Sequence, residues 1–305
     1  MSGTSGVAGT AGAAISRVGV VGGGLMGSGI AQIAAQAGLT TIVREVTEPL
    51  CTRARASVVK SLGKAVEKGK LAPDARDAAI SNLTFTTRLD DLAASDLIIE
   101  AIVEEVDAKN ALWRELDGLA GAETIFASNT SSLTIAAMAA ASGRPDRLVG
   151  LHFFNPVPLM RLVEVVRTIT TSDATFERAQ TFVRLIGKQP VTARDQSGFI
   201  VNRLLIPYML DAIRALENGV GSVADIDAGM QLGAGHPMGP FTLLDFVGLD
   251  TVERVAEVMF DEYREHRFAP PPLLRRLVRA GHFGRKSGRG FYDHSVDPPV
   301  PSALL

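Results

Sequence analysis

Arg17-Val18-Gly19-Val20-Val21-Gly22-Gly23-Gly24-Leu25-Met26-Gly27 is the stretch on which the fold turns. Its first five residues form a short apolar run with β-branched side chains, the pattern of a buried strand. Glycines follow, and Leu25 to Ala37 then carries a helical period that Gly38 stops. Thr40 to Val43 reads as a second strand, so the chain opens as a βαβ unit. Gly22, Gly24 and Gly27 make a G-x-G-x-x-G between strand and helix, the context in which that motif binds a dinucleotide. Gly22 permits the tight turn and Gly24 lets a pyrophosphate approach backbone N–H groups at the positive end of the helix. Leu25 and Met26 open the first helical turn, and Gly27 lets helix and strand pack closely. Glu45, eighteen residues beyond Gly27, ends the second strand. A carboxylate there accepts ribose hydroxyls and repels a 2′-phosphate, which favours NAD over NADP. Arg44 beside it softens that discrimination, which keeps NADP as an alternative cofactor.

Further along the chain, Glu48 to about Asn82 reads as two helices broken near Gly69 to Pro73. A plain dinucleotide-binding unit needs only a short connection here, so this pair is an insertion. Leu97 to Val103, Thr124 to Ala127, Leu148 to Phe153, Leu162 to Val166 and Pro190 to Ala193 read as strands. After Asp195 the pattern becomes helical. Ile200, Leu204, Leu205, Tyr208 and Ile213 lie near one helix face. Ser222 to Asp225 has the form of a capping box, and Phe241 to Tyr263 and Pro272 to Ala280 add further helices. The expected class is α/β: a Rossmann-like domain over residues 16–196 with an inserted helical hairpin, then an all-helical domain over 197–294. Residues 1–15 and 295–305 read as tails.

Composition narrows the function. The chain of 305 residues is 46% hydrophobic and 21% charged, a globular balance. A net charge of -2 offers no basic field for nucleic acid. No apolar run has transmembrane length and no signal peptide is legible, so a soluble cytoplasmic protein is expected. Cys51 is the single cysteine, and the five histidines are scattered without metal-ligand spacing, so no metal is expected.

Val149-Gly150-Leu151-His152-Phe153-Phe154-Asn155-Pro156 puts a histidine at the end of an apolar strand. Arg161-Leu162-Val163-Glu164-Val165-Val166 then carries a glutamate inside another. A carboxylate in such a run is costly unless paired, and the intervening prolines make a turn able to bring His152 and Glu164 side by side. Such a pair holds the imidazole in one tautomer and suits a general base, but a core histidine in a structural salt bridge fits the residues equally well. Ser128-Asn129-Thr130-Ser131-Ser132 follows a strand at the edge where open α/β sheets bind ligands. It also fits a cap for a helix beginning near Leu133. Lys60, Lys64 and Lys68 share a helical face, a spacing that could hold phosphate groups but by itself favours a solvated surface.

Together these segments resemble the 3-hydroxyacyl-CoA dehydrogenase family, and within it the actinobacterial 3-hydroxybutyryl-CoA type. The resemblance rests on Gly19 to Gly29, Ala127 to Ser132, His152 to Pro158, Ser197 to Leu205, His236 to Leu249 and Phe283 to Tyr292, and spans about Arg17 to Asp293. It implies NAD-dependent oxidation of (S)-3-hydroxyacyl-CoA to 3-oxoacyl-CoA and the reverse, in short-chain acyl-CoA or fatty-acid metabolism. By resemblance His152 is the base and Glu164 its orienting partner, while Ser131 and Asn202 hydrogen-bond the reacting oxygen. Glu104, Lys109, Asn129, Ser131, Asn155 and Lys286 match cofactor contacts; Ser61, Lys68 and Ser131 match acyl-CoA contacts. The family's second domain implies a homodimer. Two rivals stay open: a family member acting on a free 3-hydroxy acid, such as the L-gulonate dehydrogenases related to λ-crystallin, and a non-catalytic NAD-binding protein.

Overall fold

A computed structural model describes residues 14–303. The expected tails fall partly outside these residues, at 1–13 and 304–305. The chain forms two compact units. The first runs through Thr130 and resumes from Thr134 to Asp195; the second comprises Ser131–Leu133 and the chain from Gln196 onward.

In the first unit the order is β1 (Arg17–Val21), α1 (Leu25–Gln36), β2 (Thr40–Arg44), α2 (Glu48–Glu67), α3 (Pro73–Ser81), β3 (Leu83–Thr86) and β4 (Leu97–Glu100). Then come α4 (Val106–Leu119), β5 (Ile125–Ser128), α5 (Ile135–Ala141), β6 (Leu148–Phe153), β7 (Leu162–Arg167), α6 (Asp173–Leu185) and β8 (Gln189–Arg194). The strands form one sheet in the order β3-β2-β1-β4-β5-β6-β7-β8. Pairing is parallel from β3 to β6, turns antiparallel between β6 and β7, and is parallel again to β8. The carboxyl ends of β1, β2, β4, β5 and β6 therefore share one edge, where such sheets present ligand-binding loops.

Local chemistry explains most boundaries. Pro49 and Pro73 stand in the first turns of α2 and α3, where a missing N–H costs nothing. Glu48 and Lys64 at opposite ends of α2 complement its dipole. In α4, Lys109, Leu112, Trp113 and Leu116 recur at helical spacing and form its buried face. Trp113 there stacks on Phe126 of β5 at 5.0 Å. The first N–H groups of α5 come from Ile135 and Ala136. Asp195, just beyond β8, accepts from both at 2.7 Å, so an acid sixty residues away in sequence caps this helix.

Several expectations need correction. The run Leu97 to Val103 is a strand only to Glu100, and Val103 beyond it is 61% exposed. Its apolarity extends past the edge of the sheet. Leu83–Thr86, an unexpected strand, adds to the outside of β2, where short threonine-containing segments carry little apolar signal.

The second unit contains α7 (Val201–Glu217), α8 (Val223–Ala234), α9 (Pro240–Val247), α10 (Leu249–Tyr263) and α11 (Pro272–Arg279). Ser222 caps α8 by accepting from the Asp225 amide at 3.1 Å. Gly248, at φ +101°, breaks what the pattern reads as one helix into α9 and α10. The unit is not all-helical: β9 (Tyr292–Asp293) pairs antiparallel with β10 (Val300–Pro301), so part of the 295–305 stretch folds back. Asp245, 1% exposed, accepts from the amides of Phe291 and Tyr292 and contacts His294 Nε2, each at 2.9 Å, which fixes this return. The expected apolar face of α7 is also revised. Ile206, Met209, Leu210 and Ile213 enter the core, whereas Leu204 is 70% and Ile200 39% exposed.

The glycine turn gives a stability test. A Cβ on Gly27 would stand 1.7 Å from the Gly22 carbonyl oxygen, a backbone atom that cannot move aside. Gly63, in the middle of α2, has nothing within 4 Å of that position. Gly27→Ala is expected to lose about 1–3 kcal/mol in urea unfolding. Gly63→Ala is expected to gain roughly 0.5–1 kcal/mol, because alanine is the better helix former.

Candidate active site

β6 and β7 place His152 and Glu164 as direct partners across an antiparallel pair. Side chains of such partners leave the sheet on the same face, so the imidazole meets the carboxylate at 2.6 Å, Nδ1 to Oε2. His152 is 5% exposed and Glu164 has no exposure. A carboxylate at that distance requires the hydrogen to reside on Nδ1, which makes Nε2 the basic nitrogen. The Phe154 ring packs at 4.4 Å from the imidazole and limits its rotation.

A second buried cluster lies at the ends of β4 and β5. Glu100 has no exposure and Lys109 has 1%, and they meet at 2.5 Å. Glu100 also accepts from the Ile102 amide at 2.8 Å and from Ser128 Oγ at 2.6 Å. Lys109 reaches Glu104 at 3.1 Å, and Glu104 accepts a short hydrogen bond from Thr130 Oγ1. Asn129 Oδ1 accepts from the Phe153 amide at 2.9 Å, tying the end of β5 to the end of β6. The structure thus joins Glu104, Lys109 and the Ser128–Thr130 segment. Glu100 was not singled out from sequence. Its signal was the one that exposed Glu164: a carboxylate inside an apolar run.

At β1 the three glycines divide their work. Gly22 has φ +94°, and a Cβ there would meet the Ala101 carbonyl oxygen at 2.6 Å. At Gly24 the same position meets nothing within 4 Å, so that face of the turn is open to a ligand. Gly24 is also the N-cap of α1 and provides no side-chain cap. Helix N–H groups at that end, an open Gly24 and Glu45 fit the diphosphate and ribose of NAD. Glu45 Oε1 accepts from the Gly23 amide at 2.6 Å and Oε2 from the Val46 amide at 3.1 Å. Each oxygen has a further lone pair for a hydroxyl. Leu25 is 72% exposed and Met26 is half-buried.

A cleft of about 190 Å³ lies between α1, α2 and the turn after β6. Leu25, Gln32, Ser61, Asn155 and Val157 are among the residues lining it, so Ser61 and Asn155 come together. Lys68, the C-cap of α2, is exposed and lies outside this lining. In the second unit, Asn202 Nδ2 donates to the Ser131 carbonyl at 3.2 Å, which brings those two residues together. Lys286 pairs with Asp250 at 2.5 Å in the same unit.

Residues 17–196 match the sequence profile of the 3-hydroxyacyl-CoA dehydrogenase NAD-binding domain, and residues 198–294 match that of the family's C-terminal domain. The chain belongs to the 3-hydroxyacyl-CoA dehydrogenase family. It is 50% identical over 283 residues to a 3-hydroxybutyryl-CoA dehydrogenase of Mycobacterium tuberculosis, covering 92% of this chain and 99% of that one. To the human mitochondrial hydroxyacyl-coenzyme A dehydrogenase it is 47% identical over 288 residues, covering 92% and 91%. The crystal structure of (S)-3-hydroxybutyryl-CoA dehydrogenase from Ralstonia eutropha superposes with a TM-score of 0.89 at 41% identity, covering 93% of this chain and all of the other.

The Glu100–Lys109 pair of this family member can be tested alone. Lys109→Met leaves a buried carboxylate without its cation, and the expected loss in denaturant unfolding is about 3–5 kcal/mol. Glu100→Gln added to that variant should recover part of the loss.

Proposed function

We propose that this chain catalyses the reversible NAD-dependent oxidation of (S)-3-hydroxyacyl-CoA to 3-oxoacyl-CoA, with 3-hydroxybutyryl-CoA as its short-chain substrate. The observation that carries the proposal is the buried His152–Glu164 contact at the sheet edge that also holds the glycine turn. In oxidation, Nε2 of His152 takes the proton of the C3 hydroxyl. Glu164 fixes the ring and balances the imidazolium that forms. NAD, when bound, would supply the acceptor for the hydride that leaves the same carbon. In reduction, protonated His152 returns the proton to the 3-oxo oxygen.

Ser131 and Asn202 carry over from the family as hydrogen-bond partners of the reacting oxygen. Gly22, Gly24, Leu25, Met26, Gly27 and Glu45 would hold the adenosine diphosphate part of NAD. Glu104, Lys109, Asn129, Ser131, Asn155 and Lys286 carry over as further cofactor contacts. Lys109 in that role works from behind Glu104, since its ammonium is buried against two carboxylates. Ser61 and Lys68 carry over as acyl-CoA contacts. The position of Ser61 in the cleft supports the CoA reading over a free hydroxy acid.

We also propose a homodimer formed through residues 197–294, working in the cytoplasm. The exposed Leu204, Val220, Leu232 and Phe246 of that unit supply apolar surface for such an interface. Among the described residues no helix is long and apolar enough to cross a membrane.

NADH absorbance tests the reaction. Consumption with acetoacetyl-CoA, and none with free 3-oxo acids, is the expected result; the reverse preference would reject the acyl-CoA assignment. His152→Ala is expected to lower kcat by about 10²–10⁴-fold with little change in NADH affinity. Glu164→Gln should also lower kcat, and turnover at the wild-type rate in that variant would remove the orienting role.

A further inference from the structure

Lys188 stands between α6 and the first residue of β8. Its ammonium donates to the carbonyl oxygens of Val157 at 2.7 Å, Pro158 at 3.3 Å and Met160 at 2.7 Å. These carbonyls belong to the turn that leaves β6 after His152 and returns as β7 before Glu164. We infer that Lys188 is a positioning residue for the acyl-CoA cleft, holding the Asn155–Met160 turn as one wall of it. This rests on the acyl-CoA reading of the site.

Several contacts support the inference. The turn closes through the Leu159 and Met160 amides, which both donate to the Pro156 carbonyl, at 2.9 and 3.0 Å. That leaves the next carbonyls directed toward one point. An ammonium has three tetrahedral donors and suits such a point; the planar guanidinium of arginine does not. The partners of Lys188 are backbone carbonyls and not a carboxylate, and burial pushes its pKa down. A partly desolvated cation with neutral partners is a costly way to secure a surface turn, which points to a demand on the position of the turn itself.

Lys188 is itself anchored. Its amide donates to the Val183 carbonyl of α6 at 3.0 Å, and the next amide, of Gln189, donates to Arg161 at 2.7 Å. On the opposite side the turn lies against α1. A Cβ at Gly29 would stand 2.8 Å from Val157 Cβ, so helix and turn are already in close contact there. The cleft is thus bounded by a wall pressed on Gly29 from one side and tied to Lys188 from the other, with Ser61 of α2 facing it. His152 and Glu164 are held separately, by the β6–β7 ladder. Losing the tie should therefore weaken substrate binding more than the chemical step.

Lys188→Met and Lys188→Arg test this by steady-state kinetics with acetoacetyl-CoA and NADH, and by amide hydrogen exchange. Lys188→Met is expected to raise KM for acetoacetyl-CoA by about tenfold, the scale of losing one to two hydrogen bonds, with kcat nearly unchanged. Lys188→Arg should fall between it and the wild type. Exchange at the Leu159 and Met160 amides should accelerate, while β6 and β7 keep their protection. An unchanged KM, or a kcat that falls as far as kcat/KM, overturns the inference. Failure of both variants to fold also overturns it, by assigning Lys188 to the fold instead of the cleft. Should the wild type not reduce acetoacetyl-CoA, the reading of the function fails, and the exchange comparison still decides whether Lys188 holds the turn.

Discussion

Glu164 has no contact with water, and a charged carboxylate in that position must be met by donors inside the protein. The rest of the sheet is arranged around this requirement. Strands β3 to β6 run parallel, and a further parallel strand would bring its carboxyl end, not its middle, beside His152. Reversing β7 puts the fourth residue from the end of one strand opposite the second residue from the end of the other. The reversal turns a buried charge from a liability into a fixed partner for the imidazole. It also creates the tight connection after β6, since antiparallel neighbours need no helix between them.

Buried charge recurs as a building rule at the same edge. Glu100 closes β4 as Glu164 sits in β7, and each is matched by a basic side chain. The Glu100 cluster reaches through Ser128 and Thr130 into the loop after β5. Charge pairs of this kind contribute little net stability compared with apolar packing, so their worth lies in geometry. They fix where three loops begin.

Much of this was legible in the sequence. The opening βαβ unit could be read because β-branched runs, a helical period and glycine punctuation agree there. Leu148 to Phe153 was readable to the residue, as a run of six buried positions. The signals failed where apolarity and burial part company. Val103 is apolar yet mostly exposed, and β3 is real but half polar. Leu204 in α7 and Ile200 at its N-cap are apolar yet exposed, a distinction periodicity cannot draw. Within the site, the meeting of His152 and Glu164 could be argued from the cost of a buried carboxylate. Glu100 could have been found by the same reasoning. The Asp195 cap on α5 could not, because nothing local links an acid to a helix sixty residues away.

One carboxylate in the glycine turn has two duties. Glu45 braces the Gly23 amide and is also the group we propose reads the ribose. Recognition and scaffolding are therefore coupled in a single side chain. Any redesign toward a phosphorylated ribose that replaces this acid would relax the loop that must grip the diphosphate. A change of cofactor would need a substitute brace as well as a new cation, and the route to it runs through at least two positions at once.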